Sequence, residues 1–274
     1  MPAQSLGHRA WARIGSARHL YTHRGILYRV TRNEISSRYA GSLLGAAWVF
    51  LAPLLLLSVY SLVYLEIFRL RLPGLSQGEY VVFIFAGLVP YLATAEAIAG
   101  GVSAVVANKA VLSNTVFPID LTPVKAVLIS LGTMTVGLTI VVIGTAVTGN
   151  IGLPILFLPF VLLMHVLMLI GIVWIISLLN VVFRDIQNLV AVSLMILLIA
   201  SPIAYAPQMV PGRLRPFLEL NPFSYYIFAY QKATILDEYP SPYLISGLVV
   251  LSVGTFLIGS WFFDRAKRVI IDYV

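Results

Sequence analysis

The chain has no cysteine, and only 11% of its 274 residues are charged. The first absence excludes disulfides, thiolate metal sites and a cysteine nucleophile, and it leaves the redox compartment open. The second accompanies 59% hydrophobic residues and a mean hydropathy of +0.94. That balance lies outside the range of soluble domains and inside that of polytopic membrane proteins. A phosphate-cradling loop is missing as well: it requires Gly-Lys-Ser/Thr, and none of Lys109, Lys125, Lys232 and Lys267 follows a glycine. No apolar run in the first 42 residues is long enough for the core of a cleaved signal, so the N-terminus is expected to stay in the cytoplasm. Low-complexity tracts and convincing repeats are also missing.

The net charge of +7 does not point to nucleic acid. The basic residues lie in tails and short connections, where membrane orientation explains them better than a binding patch would. A bilayer core of about 30 Å needs roughly 20 apolar residues in a helix. Six runs approach that length: 43–65, 80–107, 126–148, 153–182, 186–206 and 243–263. Because lipid offers no partner for backbone amides, each run is expected to be helical. The predicted fold is therefore an all-α membrane protein of six transmembrane helices, in a domain spanning 43–263. A basic tail and interfacial helix precede it (1–42), and a short C-terminal tail follows (264–274). Thirteen Lys and Arg on one side against five on the other place both termini in the cytoplasm.

Between the second and third runs lies a polar island, NKAVLSNTVFPIDLTPVK (108–125), in which Pro118 and Pro123 predict a short helix and a turn. Before the first run, 19–42 reads as an interfacial helix with arginines towards lipid phosphates, or else as a basic tail that only fixes orientation. Glu96 is the only carboxylate well inside a run. A charge at the centre of a lipid-exposed helix costs about 2.5 kcal/mol or more, so Glu96 must face a helix, a wet path, or be protonated. The second run also holds Pro90, which predicts a bend. NVVFRD (180–185) turns the chain between the fourth and fifth runs, where Arg184 and Asp185 could pair with each other or with a partner. The outer segment 207–242 predicts two short re-entrant helices rich in aromatics, Phe223, Tyr225, Tyr226 and Tyr230 among them. Such rings can stack on sugars, or they can form an ordinary interfacial belt.

Other patterns carry less. GLSQG (74–78) matches a serine-hydrolase motif but lacks the preceding strand of a nucleophile elbow. His19 and His23 are four apart without the glutamate of a zinc motif, and read as a hydrated, lipid-facing pair. His165 reads as a packing or hydrogen-bonding residue, and GSLLG (41–45) as a site of close helix approach.

Taken together, RYxxSxLGxxW at 38–48 followed by Pro53, FAGLVPY at 85–91, NKxxLxxxxFP at 108–118, NVVFRD and LNPFSYY (220–226) resemble the membrane subunit of an ABC-2 type exporter. The likeness is to the polysaccharide branch, which carries O-antigen, capsule or teichoic acid chains. It covers nearly all of the chain from about Tyr28, and it implies a homodimer in the cytoplasmic membrane enclosing a channel, with two copies of a separate ATPase subunit. ATP and Mg would be bound by that subunit and no cofactor by this chain. In the family the island holds the coupling helix, which makes Lys109, Val111, Leu112, Asn114, Phe117, Pro118 and Asp120 contact candidates, with Arg184 and Asp185 a second contact. Trp48, Tyr91, Glu96, Phe223, Tyr225, Tyr226 and Tyr230 would line or gate the path of a lipid-linked glycan. Tyr91 stands where the family often has tryptophan. Within the family the alternative is a small-lipid or drug exporter. Outside it are a proton-coupled carrier using Glu96 and His165, and an intramembrane enzyme, whose convergent catalytic groups are not found.

Overall fold

A computed structural model describes residues 15–38, 41–69, 72–109 and 118–270. Among these residues the chain is helical, without a strand. In order come α1 (Ser16–Thr22), α2 (Arg24–Arg38), α3 (Trp48–Leu62), α4 (Gln77–Ala107), α5 (Leu121–Thr148), α6 (Leu158–Val182), α7 (Ile186–Ala200), α8 (Arg215–Leu220), α9 (Pro222–Ala233) and α10 (Pro242–Ile270). A π turn, Val63–Ile67, extends α3, and a 3-10 turn, Leu153–Phe157, leads into α6. Five of the described stretches are long and apolar enough to cross a bilayer: Phe50–Ile67, Gln77–Ala107, Leu121–Thr148, Leu153–Val182 and Pro242–Lys267. The protein is thus an all-α, multi-pass membrane protein.

The expected run 186–206 departs from this pattern. Its helix, α7, stops after 15 residues, about 22 Å at 1.5 Å per residue and short of a bilayer core. Pro202 has no N–H to give and pushes Ser201 out of the helical region, to ψ 144°. The irregular backbone that follows is buried, and neighbouring helices satisfy it with side chains. Gln231 Nε2 of α9 donates to the carbonyls of Pro202 (3.3 Å) and Ile203 (3.1 Å), and the Tyr80 hydroxyl of α4 donates to Ala204 (2.6 Å). Irregular backbone can therefore stand inside an apolar run where protein covers it.

Other boundaries shift for local reasons. α5 begins at Leu121 because Pro123 falls in its first turn, where an amide has no helical acceptor in any case. Pro90 sits inside α4 without ending it. α4 opens with a capping box: Ser76 accepts from the Glu79 amide while Glu79 accepts from the Ser76 amide. The GSLLG segment is a turn, with Gly41 and Gly45 at φ +78° and +49°. A Cβ at either glycine would meet nothing within 4 Å, so the expected helix contact there is not made among the described residues. The single interfacial helix expected over 19–42 is two, α1 and α2, parted at His23. α2 runs against α5, where Glu34 pairs with Lys125 at 2.5 Å.

α4 is the central element, with 72% of its most apolar stretch buried. α5 approaches it closely where Gly137 meets Val89 and Gly144 meets Val82. α6 and α10 cross with backbones almost touching, since a Cβ at Gly171 would lie 2.3 Å from the Thr255 carbonyl and one at Gly259 2.3 Å from that of Gly171. By contrast α3 and α7 line the outside: only 11% of the first span is buried, and α7 has no buried residue.

Candidate functional site

At the C-terminal end of the polar island, Asp120 precedes α5. The sequence places it on a surface open to a partner, yet it is 1% exposed. Its carboxylate receives His19 Nδ1 at 2.6 Å and Lys267 Nζ at 2.8 Å, together with the Ser16 hydroxyl. Its carbonyl receives the Trp174 indole N–H at 3.0 Å. Lys267 in turn pairs with Asp264 at 2.9 Å, and Asp264 accepts the Ser16 amide at 2.7 Å. Three segments distant in the chain, α1, the start of α5 and the end of α10, meet at this cluster. Burial alone would raise the Asp120 pKa, but the His19 hydrogen bond, the Lys267 charge and hydrogen bond, and the Ser16 hydroxyl outweigh it and hold the carboxyl below its ordinary 3.8. Donors within the chain thus already occupy the Asp120 carboxylate.

His19 changes role with it, being fully buried rather than hydrated and lipid-facing. Pro118 is buried too, whereas Lys109 is exposed at the near end of the island. Val111, Leu112, Asn114 and Phe117 lie outside the described residues. Arg184 and Asp185 are both exposed at the turn between α6 and α7. Among the described residues they form no ion pair with each other.

The aromatic candidates divide. Tyr91 (2% exposed), Phe223 (6%), Tyr226 (1%) and Tyr230 (0%) are packed inside the chain. The hydroxyls of the three tyrosines fix helices to one another. Tyr91 donates to the Leu194 carbonyl of α7, Tyr226 bonds Ser252 of α10 at 2.6 Å, and Tyr230 meets His165 Nδ1 of α6 at 3.4 Å. His165 Nε2 bonds Thr94 at 2.7 Å, and the ring stacks on Tyr226 at 4.7 Å. The reason is the amphipathic character of a tyrosine: its ring fills the core while one hydroxyl satisfies a buried acceptor. Aromatics stand on both faces of α9, and the one signal of which face turns inward is Lys232, which shares the face of Tyr225 and Phe228.

Tyr225 is the exception. Its hydroxyl lies 3.3 Å from that of Tyr243, at the wall of a cavity of about 670 Å³ that also touches Arg215, Glu219, Lys232 and Glu238. Trp48 and Glu96 come together at a second cavity, of about 220 Å³, between α3, α4 and α5. There Glu96 accepts the Thr133 hydroxyl at 2.6 Å. Glu96 and His165 bond different partners, so these bonds do not link them into one relay. Ser76 of the GLSQG pattern is occupied as a helix cap.

Comparison with known proteins matches the ABC-2 type transporter model over residues 27–235. A protein of Myxococcus xanthus named O-antigen export system permease protein RfbA is 28% identical over 258 residues, covering 93% of this chain and 97% of its own length. Two proteins of Klebsiella pneumoniae with the same name are each 26% identical, over 84% of this chain and 89% of their own length. With helices of membrane-crossing length running through the matched region, the chain belongs to the ABC-2 type transporter family.

Proposed function

We propose that this chain is the permease subunit of an ATP-driven exporter that moves a lipid-linked polysaccharide, of the O-antigen, capsule or teichoic acid kind, across the cytoplasmic membrane. The observation that carries this is the end-to-end match to a permease named for O-antigen export, over 93% of one chain and 97% of the other. The working unit is a homodimer with two ATPase subunits, which bind ATP and Mg and perform the hydrolysis; this chain supplies path and gate. The apolar, almost unburied faces of α3 and α7 favour a second copy beside them. α7 and the covered segment after it together make the sixth crossing, and α8 and α9 are re-entrant on the outer side. Both termini face the cytoplasm.

In this reading Lys109 and the island residues up to Phe117 meet the ATPase, with Arg184 and Asp185 a second contact. Trp48 and Glu96, at a cavity under the weakly buried first span, are the path residues, and Tyr225 faces the outer cavity. Tyr91 ties α4 to α7, and Phe223, Tyr226 and Tyr230 hold α9 in place, rather than touch the glycan. The test is co-purification of the chain with the ATPase subunit, then hydrolysis in lipid with and without lipid-linked glycan. A stable complex whose hydrolysis responds to glycan is the expected result. A well-folded chain that binds no ATPase, or a complex that responds to small lipids and not to glycan, would overturn it.

A further inference from the structure

We propose that Asp120 and Lys267 are positioning residues: their cluster is a rigid junction that couples the connection between α4 and α5 to the outer helix α9 by way of α10. The proposal rests on the reading above, in which that connection receives the ATPase. At the inner end, Asp120 stands two residues after Pro118, and its carboxylate is tied to Lys267 on α10 and to His19 and Ser16 on α1. Ser16, His19, Asp120 and Lys267 are each no more than 1% exposed. Opening the cluster would strip the buried Asp120 carboxylate of its ammonium partner and leave Lys267, away from water, to the neighbouring Asp264. The less costly response to a displacement of the connection is for α1, the start of α5 and the end of α10 to move together.

From there α10 runs unbroken for 29 residues, about 43 Å. α6 stiffens it: Trp174 holds the Asp120 carbonyl while its ring lies 5.4 Å from Phe256 and 6.2 Å from Phe263, above the touching backbones of Gly171 and Gly259. Near its outer end α10 grips α9 twice. Ser252 bonds the Tyr226 hydroxyl at 2.6 Å, and the Tyr225 ring lies against Gly247, where a Cβ would stand 2.6 Å from it. Tyr225 is the ring at the larger cavity. A shift at the inner junction is therefore delivered to the wall of that cavity through one helix and a set of buried contacts.

The absence of native cysteine makes a single reporter possible. Lys232→Cys, at the last turn of α9, is labelled with bimane, and the chain is assembled with the ATPase subunit in lipid. In the parent complex ATP is expected to change the bimane signal, and a reporter silent to ATP in a complex that hydrolyses it would overturn the junction. The double variant Asp120→Asn/Lys267→Met removes both buried charges at once and leaves the partly exposed Asp264 to Ser16 and solvent. It is expected to retain the ATPase subunit and hydrolysis while losing the bimane response, and to spend about fivefold or more ATP per glycan exported. A double variant with parental signal change and parental ATP per glycan would overturn the junction. A second measurement does not depend on that variant folding. Gly15→Cys/Asp264→Cys, where a Cβ on residue 15 lies 3.4 Å from the Asp264 carboxylate, is added to the reporter chain and oxidised before labelling, which pins α1 to α10 and leaves residue 232 the one thiol for bimane. A rigid junction keeps the bimane response after oxidation, whereas loss on oxidation and return on reduction would show that the junction opens, and refute it. A parent chain that binds no ATPase subunit would instead remove the underlying reading, and the junction with it.

Discussion

The crossing of α6 and α10 makes opposite predictions for one substitution at two places on the same helix. At Gly259 an added Cβ would lie 2.3, 2.7 and 2.8 Å from the carbonyl oxygen, Cα and carbonyl carbon of Gly171. All three are backbone atoms, so no rotamer change relieves them. Ordinary contact begins at 3.4 Å, and the two helices must part by about 1 Å, loosening Trp174 from Phe256 and Phe263. Overpacking of that kind costs about 3 kcal/mol, from which about 1 kcal/mol of helix propensity is recovered, leaving Gly259→Ala about 2 kcal/mol less stable. At Gly254 an added Cβ meets nothing within 4 Å. Only the propensity gain remains there, and Gly254→Ala should be stabilised by up to about 1 kcal/mol. Reversible unfolding in mixed detergent micelles, followed by tryptophan fluorescence, measures both. Equal midpoints for the two variants would refute the close approach and, with it, the stiffness ascribed to the α6–α10 pair.

Three further outcomes are expected. Gln231→Leu should lower unfolding stability by about 1–3 kcal/mol, because the Pro202 and Ile203 carbonyls lose a buried donor; an unchanged thermal midpoint in detergent would show that water reaches them. Ser76→Ala should cost about 1 kcal/mol through loss of the α4 cap and leave transport in proteoliposomes intact; loss of transport in a folded variant would give Ser76 more than a capping role. Asp120 has its pKa held below the ordinary 3.8, so its contribution is present above that value and is lost as pH falls through the lower, folded value. Asp120→Asn should therefore flatten the acid limb of a stability–pH curve below about pH 4, and parallel curves for variant and parent would contradict the buried pairing.

How much was legible differs from residue to residue. Leu121–Thr148 and Gln77–Ala107 are helices because lipid leaves unbroken apolar backbone no other choice. The same rule over-reached at 201–206, because Gln231 and Tyr80 come from 28 and 124 residues away to bond that backbone. GSLLG reads as a packing motif in one dimension, yet two positive φ values make it a turn. Tyr225 and Tyr226 are adjacent in α9 and chemically the same. One meets a cavity and the other is sealed against Ser252 and His165, which depends on the rotation of α9 against α6 and α10.

The sequence by itself determined class and family, because these follow from composition, run length and local motifs, all additive along the chain. Asp120 shows what it left to the tertiary structure. Nothing near it in the sequence distinguishes an exposed contact from a buried hub, since its partners Ser16, His19 and Lys267 stand 104, 101 and 147 residues away. Burial and charge pairing are properties of which helices meet, and only the packing of α1, α5, α6 and α10 around one carboxylate decided them.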